Sequence, residues 1–202
     1  MDATQTNADR IHGEASPVCA VLFDEWDALR DPPGGRLELI EGETVLSASP
    51  RPAHQVVARS LADRLDEQCP PDLMAVMDIE WRRLAEQGHF ITSALRPDVT
   101  VTRRSELRGK PAITAAPILA VEVRSPSNTR PTMARKREVY LRNGLGCYVE
   151  VGIDAAEAEV SISWWLAAGG RWERAAEAIG DEELAVAAPF PFRVVPNGLL
   201  PW

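Results

Sequence analysis

A chain of 202 residues, 45% of them hydrophobic, has the length and apolar content of one compact domain with a sizeable core. Its formal net charge of −8 at pH 7 excludes avid non-specific attraction to nucleic acid, because phosphate affinity comes mainly from Lys and Arg, and leaves room only for a local basic site. Cys19, Cys69 and Cys147 are scattered, odd in number and without metal-ligand spacing, and read as reduced thiols of a cytoplasmic protein. No apolar run approaches membrane-spanning length, and the N-terminus lacks a signal-peptide core.

Residues 1–17 are polar and read as a disordered lead, before a domain over 18–202. Phe23, Trp26 and Leu29 recur at helical spacing and predict a short helix, ended by the Asp31-Pro32-Pro33-Gly34-Gly35 loop. Leu37 to Ser47 predicts two strands folded at Glu41-Gly42. Alternation puts Leu37 and Leu39 on one face and Glu38 with Ile40 on the other. Pro52 opens a helix to about Gln68, stopped by Pro70-Pro71, with Val56, Val57, Leu61 and Leu65 as its buried stripe. His54 lies in its first turn, where the positive helix terminus favours a neutral imidazole. It is suited either to placing a phosphate oxygen or water, or to capping its own helix.

Leu73 to Leu84 reads as one further strand, turned at Gln87-Gly88 toward Phe90-Ile91. Trp81-Arg82-Arg83 reads as surface. Pro97, which cannot donate to a ladder, precedes the alternating run Asp98-Val99-Thr100-Val101-Thr102. Arg103 to Ala116 reads as a polar, mobile loop. Ile118 to Val123 is a strand apolar on both faces and therefore covered on both. A helix from a Thr132 N-cap to Asn143-Gly144 and a strand over Cys147–Val151 complete a β-α-β unit. Ser161 to Leu166, Gly169-Gly170 and Arg171 to Arg174 predict a terminal hairpin, with Trp164 and Trp165 on opposite faces. A Pro-bounded aromatic segment closes the chain by Val195.

Glu122 interrupts the most apolar of these strands. Burying its carboxylate costs several kcal/mol unless a cation meets it. The candidates are Arg124 on the same strand face, Lys136 on the following helix, or a metal ion. Two carboxylates, Asp98 and Glu122, can hold Mg²⁺ or Mn²⁺ against a phosphate while a lysine neutralises charge. The plain alternative is a buried ion pair of Glu122 with Lys136 or Arg124. Arg124, Arg130, Arg135, Lys136, Arg137 and Arg142 stand against the single acid Glu138, a local reversal of charge suited to a phosphate backbone.

Arg96-Pro97-Asp98-Val99, Ala120-Val121-Glu122-Val123-Arg124-Ser125-Pro126-Ser127, Lys136, Tyr140 and Gly144, in that order, resemble the Uma-two family of restriction-endonuclease-like proteins in the PD-(D/E)xK nuclease superfamily. Glu38-Leu39-Ile40-Glu41-Gly42-Glu43, Ser49 to Gln55 and Pro189-Phe190-Pro191-Phe192 extend the resemblance over most of residues 20–200. It implies an α/β (α+β) restriction-endonuclease-like core, a central mixed β-sheet flanked by helices. The activity implied is Mg²⁺-dependent hydrolysis of DNA, with Asp98, Glu122 and the Val123 carbonyl as metal ligands and Lys136 as a relocated catalytic lysine. Glu38 becomes an accessory carboxylate, though an ordinary edge-strand glutamate fits the same pattern, and His54 joins the catalytic set. Arg124, Arg130 and Arg135 are the implied DNA contacts, and a homodimer the implied assembly. The chain departs from the family at Arg124, where the superfamily has lysine, at Val149 in place of Trp, and at Gly152 in place of Asp. A nuclease-fold binding module without turnover is therefore a second reading, and a metal-free acid/base hydrolase a third.

Overall fold

The computed structural model describes residues 20–86, 88–108, 112–124, 130–154 and 159–201, without the side chains of Ala48 and Arg130. The expected N-terminal lead and Cys19 lie outside them. Six strands form the central sheet in the order β11-β10-β9-β8-β7-β4. They are β4 (Leu73–Met77), β7 (Val99–Arg103), β8 (Leu119–Val123), β9 (Cys147–Asp154), β10 (Glu159–Ala168) and β11 (Arg171–Ile179). Only β8 and β9 run parallel, joined by helix α3 (Arg130–Arg142) as the predicted β-α-β unit; the other neighbours are antiparallel.

A second sheet joins β1 (Val21–Leu22), β2 (Gly35–Ile40), β3 (Glu43–Ala48), β5 (Trp81–Leu84) and β6 (Phe90–Leu95), with β6 at its centre. The β2–β3 turn falls at Glu41-Gly42 as expected, and both residues have positive φ, 52° and 82°. That is the backbone of a two-residue hairpin turn whose twist matches its strands. Helix α1 (Phe23–Ala28) and helix α2 (Pro52–Gln68) keep the predicted positions. A short pair, β12 (Leu184–Val186) and β13 (Phe192–Val194), closes the C-terminal part.

Strand alternation sorts the central sheet into two faces. Leu119, Val121, Val123, Val149, Val151, Ile162 and Trp164 pack under α2 and the β12–β13 segment. Ala120, Tyr148 and the carboxylate of Glu122 turn the other way, toward α3 and the second sheet, where Ile40, Trp81, Leu95, Val139 and Tyr140 meet. The stripe of α2 is His54, Val57, Ala58, Leu61, Ala62 and Leu65; Val56, expected in it, is only half-buried.

Four expectations change. Leu73 to Leu84 is two strands in two sheets, because the chain turns at Asp78, whose φ is 53°. Trp81 and Arg82 are buried rather than superficial: Trp81 stacks on Tyr140 at 5.8 Å, and Arg82 pairs with Asp27 and Glu80. The segment after β7 is not uniformly polar and loose, since Arg104–Leu107 forms a 3₁₀ turn and Ala112 and Ile113 are buried. Helix α3 also begins ahead of Thr132, at Arg130.

Trp164 and Trp165 do face opposite ways, Trp164 stacking on Phe192 at 5.4 Å and Trp165 lying under the Arg137 and Arg174 guanidiniums. Trp164→Ala should therefore lower unfolding free energy by about 3–5 kcal/mol in urea melts. Trp165→Ala should cost clearly less, since its ring is only partly buried.

Candidate active site

Asp98, Glu122, Glu38, His54 and Lys136 are each 7% exposed or less and converge between the two sheets. Asp98 stands just before β7 and takes over the ladder where β8 ends. Its N–H donates to the Val121 carbonyl at 3.0 Å, and its Oδ2 accepts the Val123 N–H at 2.8 Å. Glu122 points to the opposite face from Val121 and Val123, toward α3. Lys136 and Tyr140, one helical turn apart, both reach Glu122 Oε1: the Lys136 Nζ at 2.7 Å and the Tyr140 hydroxyl as a donor at 2.5 Å. The cation that meets Glu122 is thus Lys136.

Lys136 is shared. Its Nζ also lies 3.0 Å and 3.1 Å from the two carboxylate oxygens of Glu38. Glu38 is held in turn by the Ser47 hydroxyl at 3.1 Å and the Arg96 N–H at 2.9 Å, so it is no edge-strand surface residue. His54 donates from Nε2 to the Val123 carbonyl at 2.9 Å and lies 3.2 Å from Asp98 Oδ2. Its Nδ1 is buried without a hydrogen-bond partner. It does not cap its own helix; it ties α2 to the end of β8.

Burial works against ionising Asp98 and Glu122, but the two are served unequally. Burial alone would raise Asp98, yet His54, the Val123 N–H and Arg36 hold its pKa below the ordinary value. Burial likewise opposes a charged Lys136, and Glu122 and Glu38 together keep its pKa raised. Glu122 carries the surplus: burial, with Asp98 and Glu38 nearby, outweighs Lys136 and pushes its pKa to about 7. For His54 the direction is the reverse of that expected from its helix terminus. Burial opposes protonation, but Asp98 and the Val123 carbonyl raise its pKa.

Arg124 and Arg135 pair with acids outside this cluster. Arg124 is half exposed and binds Glu150 at 3.2 Å; Glu150 is the register partner of Glu122 on β9. Arg135 pairs with Glu43 and donates to the Ile40 carbonyl at 3.1 Å, which pins α3 to the β2–β3 turn. The Arg130 side chain lies outside the described residues. Two of the three departures from the family occupy one space: a Cβ at Gly152 would stand 2.3 Å from Arg124 Nη2 and 2.5 Å from Ser161 Oγ. Val149 packs in the core under α2, on the sheet face opposite the Glu122 carboxylate.

The sequence reading passed over Arg36, which lies 3.2 Å from Asp98 Oδ1. Its signal was there: Arg36 precedes Glu38 by two, so alternation places both on one face. Tyr140, four residues after Lys136, shares its helix face and joins the site through Glu122.

The family model of Uma2, described as "Putative restriction endonuclease", matches residues 22–191. The chain belongs to this family. A crystal structure of "a putative nuclease belonging to DUF820" from Anabaena variabilis ATCC 29413 shares the fold, with a TM-score of 0.58 at 17% identity, covering 84% of this chain and 89% of that one. No curated protein matches the chain. No helix among the described residues is long and apolar enough to cross a membrane.

Two substitutions weigh the buried pairings against the exposed ones. In metal-free buffer, Lys136→Met should destabilise the fold by about 3–5 kcal/mol, because it strands buried carboxylates. Arg135→Met, at a pair open to solvent, should cost no more than about 1 kcal/mol. Chemical denaturation of both variants checks the contrast.

Proposed function

We propose that this Uma2 protein is a divalent-metal-dependent endonuclease that hydrolyses phosphodiester bonds in DNA. The observation that carries the reading is the buried convergence of Asp98, Glu122 and Lys136 at one end of β8, with the Val123 carbonyl immediately after Glu122 in sequence. Carboxylate and carbonyl oxygens are the donors that Mg²⁺ and Mn²⁺ take. The surplus negative charge borne by Glu122 is what a cation there would relieve. Among the described residues no three His, Cys, Asp or Glu side chains cluster as metal ligands, so two carboxylates and a backbone carbonyl form the proposed set.

A bound Mg²⁺ supplies Lewis-acid polarisation of a non-bridging oxygen and a more acidic attacking water. Lys136, kept charged by Glu122 and Glu38, serves as a fixed positive donor for charge developing on the phosphate and not as a proton acceptor. Glu38 holds that lysine in place. His54 fixes the Val123 carbonyl, and Arg124, Arg130 and Arg135 are the proposed contacts to the DNA backbone. A cytoplasmic setting and a homodimer able to cut two strands complete the proposal.

One observation favours a second reading, a binding module without turnover. Every carboxylate of the site already has a cation of the chain's own within 3.2 Å: Lys136 for Glu38 and Glu122, Arg36 and His54 for Asp98.

Under the nuclease reading, Asp98→Asn and Glu122→Gln each abolish calorimetric Mn²⁺ binding and plasmid nicking. Lys136→Met loses at least ~100-fold in single-turnover cleavage, the scale of removing one charge-stabilising donor. Arg124→Leu costs mainly DNA affinity. A wild-type protein that retains DNA in gel shift and never nicks it in Mg²⁺ or Mn²⁺ selects the binding module instead.

A further inference from the structure

Asp98 is enclosed by a ring of contacts that lies apart from the catalytic set. Its carbonyl accepts the N–H of Asp78 at 3.3 Å. The Asp78 carboxylate binds Arg36 Nη1 at 2.5 Å, and Arg36 Nη2 returns to the Asp98 side chain, reaching Oδ1 at 3.2 Å. Backbone and side chain of Asp98 are thus tied to the same Asp78–Arg36 unit. Asp78 has a φ of 53°, a conformation uncommon for a residue with a side chain and kept only where the surroundings enforce it. It also holds Arg96, the residue two before Asp98, at 3.1 Å.

The consequence for Asp98 is geometric. Arg36 takes Oδ1, while Oδ2 accepts the Val123 N–H at 2.8 Å and lies 3.2 Å from His54 Nε2, at the end of β8 that also carries Glu122. A planar guanidinium with two nitrogens on two carboxylates cannot rotate without breaking one of them. Lysine, a single point charge, cannot impose that restraint.

We infer that Arg36, braced by Asp78, is a positioning residue that fixes the rotation of the Asp98 carboxylate within the proposed metal site. This inference rests on the proposed metal site and adds to it a part of the chain outside the nuclease motif. Such supporting contacts typically change metal affinity by about 10–100-fold.

The test is Mn²⁺ calorimetry on the full chain, with thermal melting of each metal-free variant alongside. Arg36→Leu should weaken Mn²⁺ binding by about 10–100-fold. Arg36→Lys should restore only part of that loss, and Asp78→Asn, at a half-exposed position, should weaken binding in the same direction with little change in melting temperature. Wild-type affinity in a folded Arg36→Leu or Asp78→Asn protein overturns the positioning role while leaving the metal site standing. Full rescue by Arg36→Lys overturns it too, because charge alone would then suffice. A wild-type protein that binds no Mn²⁺ removes the metal site and the positioning role together. Should Arg36→Leu fail to fold, the Asp78→Asn result decides alone.

Discussion

Three carboxylates are buried together, two of them sharing one lysine, and the local architecture follows from satisfying them. Glu38, Asp98 and Glu122 come from β2, the start of β7 and β8, and Lys136 comes from α3. No single element could hold such charges out of water, because desolvating an ion costs several kcal/mol and only a close partner returns it. The second sheet brings Glu38 and Arg36, α3 brings Lys136 and Tyr140, and α2 brings His54. Each pairs across an element boundary, so the polar cluster fixes how helices and sheets register as firmly as the apolar cores do. Such clusters are also where perturbed ionisation gathers, and Glu122, the least compensated carboxylate, shows it.

Its imbalance is the feature on which the proposed metal site rests. A purely structural cluster would match each acid with a base, as Arg135 does with Glu43, or leave the extra acid to water, as Arg82 does with the partly exposed Asp27 and Glu80. Around Lys136 the acids outnumber the cation. The arrangement resists ionising Glu122 fully in the absence of a further positive charge, and it supplies hard oxygen donors where that charge would sit. The departures at Arg124, Val149 and Gly152 leave this unchanged. Arg124 and Gly152 fit one another beside Glu150, and Val149 packs on the opposite face of the sheet.

Much of this was legible in the sequence because it is local. The Glu41-Gly42 turn, the Pro52 and Gly144 helix boundaries, the β-α-β unit and the opposed faces of Trp164 and Trp165 follow from backbone rules and alternation. Asp98, Glu122 and Lys136 could be singled out since a carboxylate inside an apolar strand demands an answer, and each proved buried. What stayed hidden is tertiary. That Leu73 to Leu84 splits between two sheets depends on a positive φ at Asp78, which no short-range pattern announces. The burial of Trp81, Arg82 and Ile113 depends on where the second sheet docks. For Arg36 alternation gives the face it shares with Glu38 but not its partners, because Asp78 and Asp98 lie 42 and 62 residues away in sequence.

The central claim is that the oxygens of Asp98, Glu122 and Val123 form a metal site that the chain's own cations border but do not replace. Anomalous diffraction from crystals soaked in Mn²⁺ tests it most directly. The account predicts one strong anomalous peak at coordination distance from an oxygen of each of these three residues, with Lys136 retained on Glu38. A difference map without a peak there at millimolar Mn²⁺, and with Lys136 still bridging Glu38 and Glu122, would contradict it and leave a buried ion-pair cluster in place of a catalytic site.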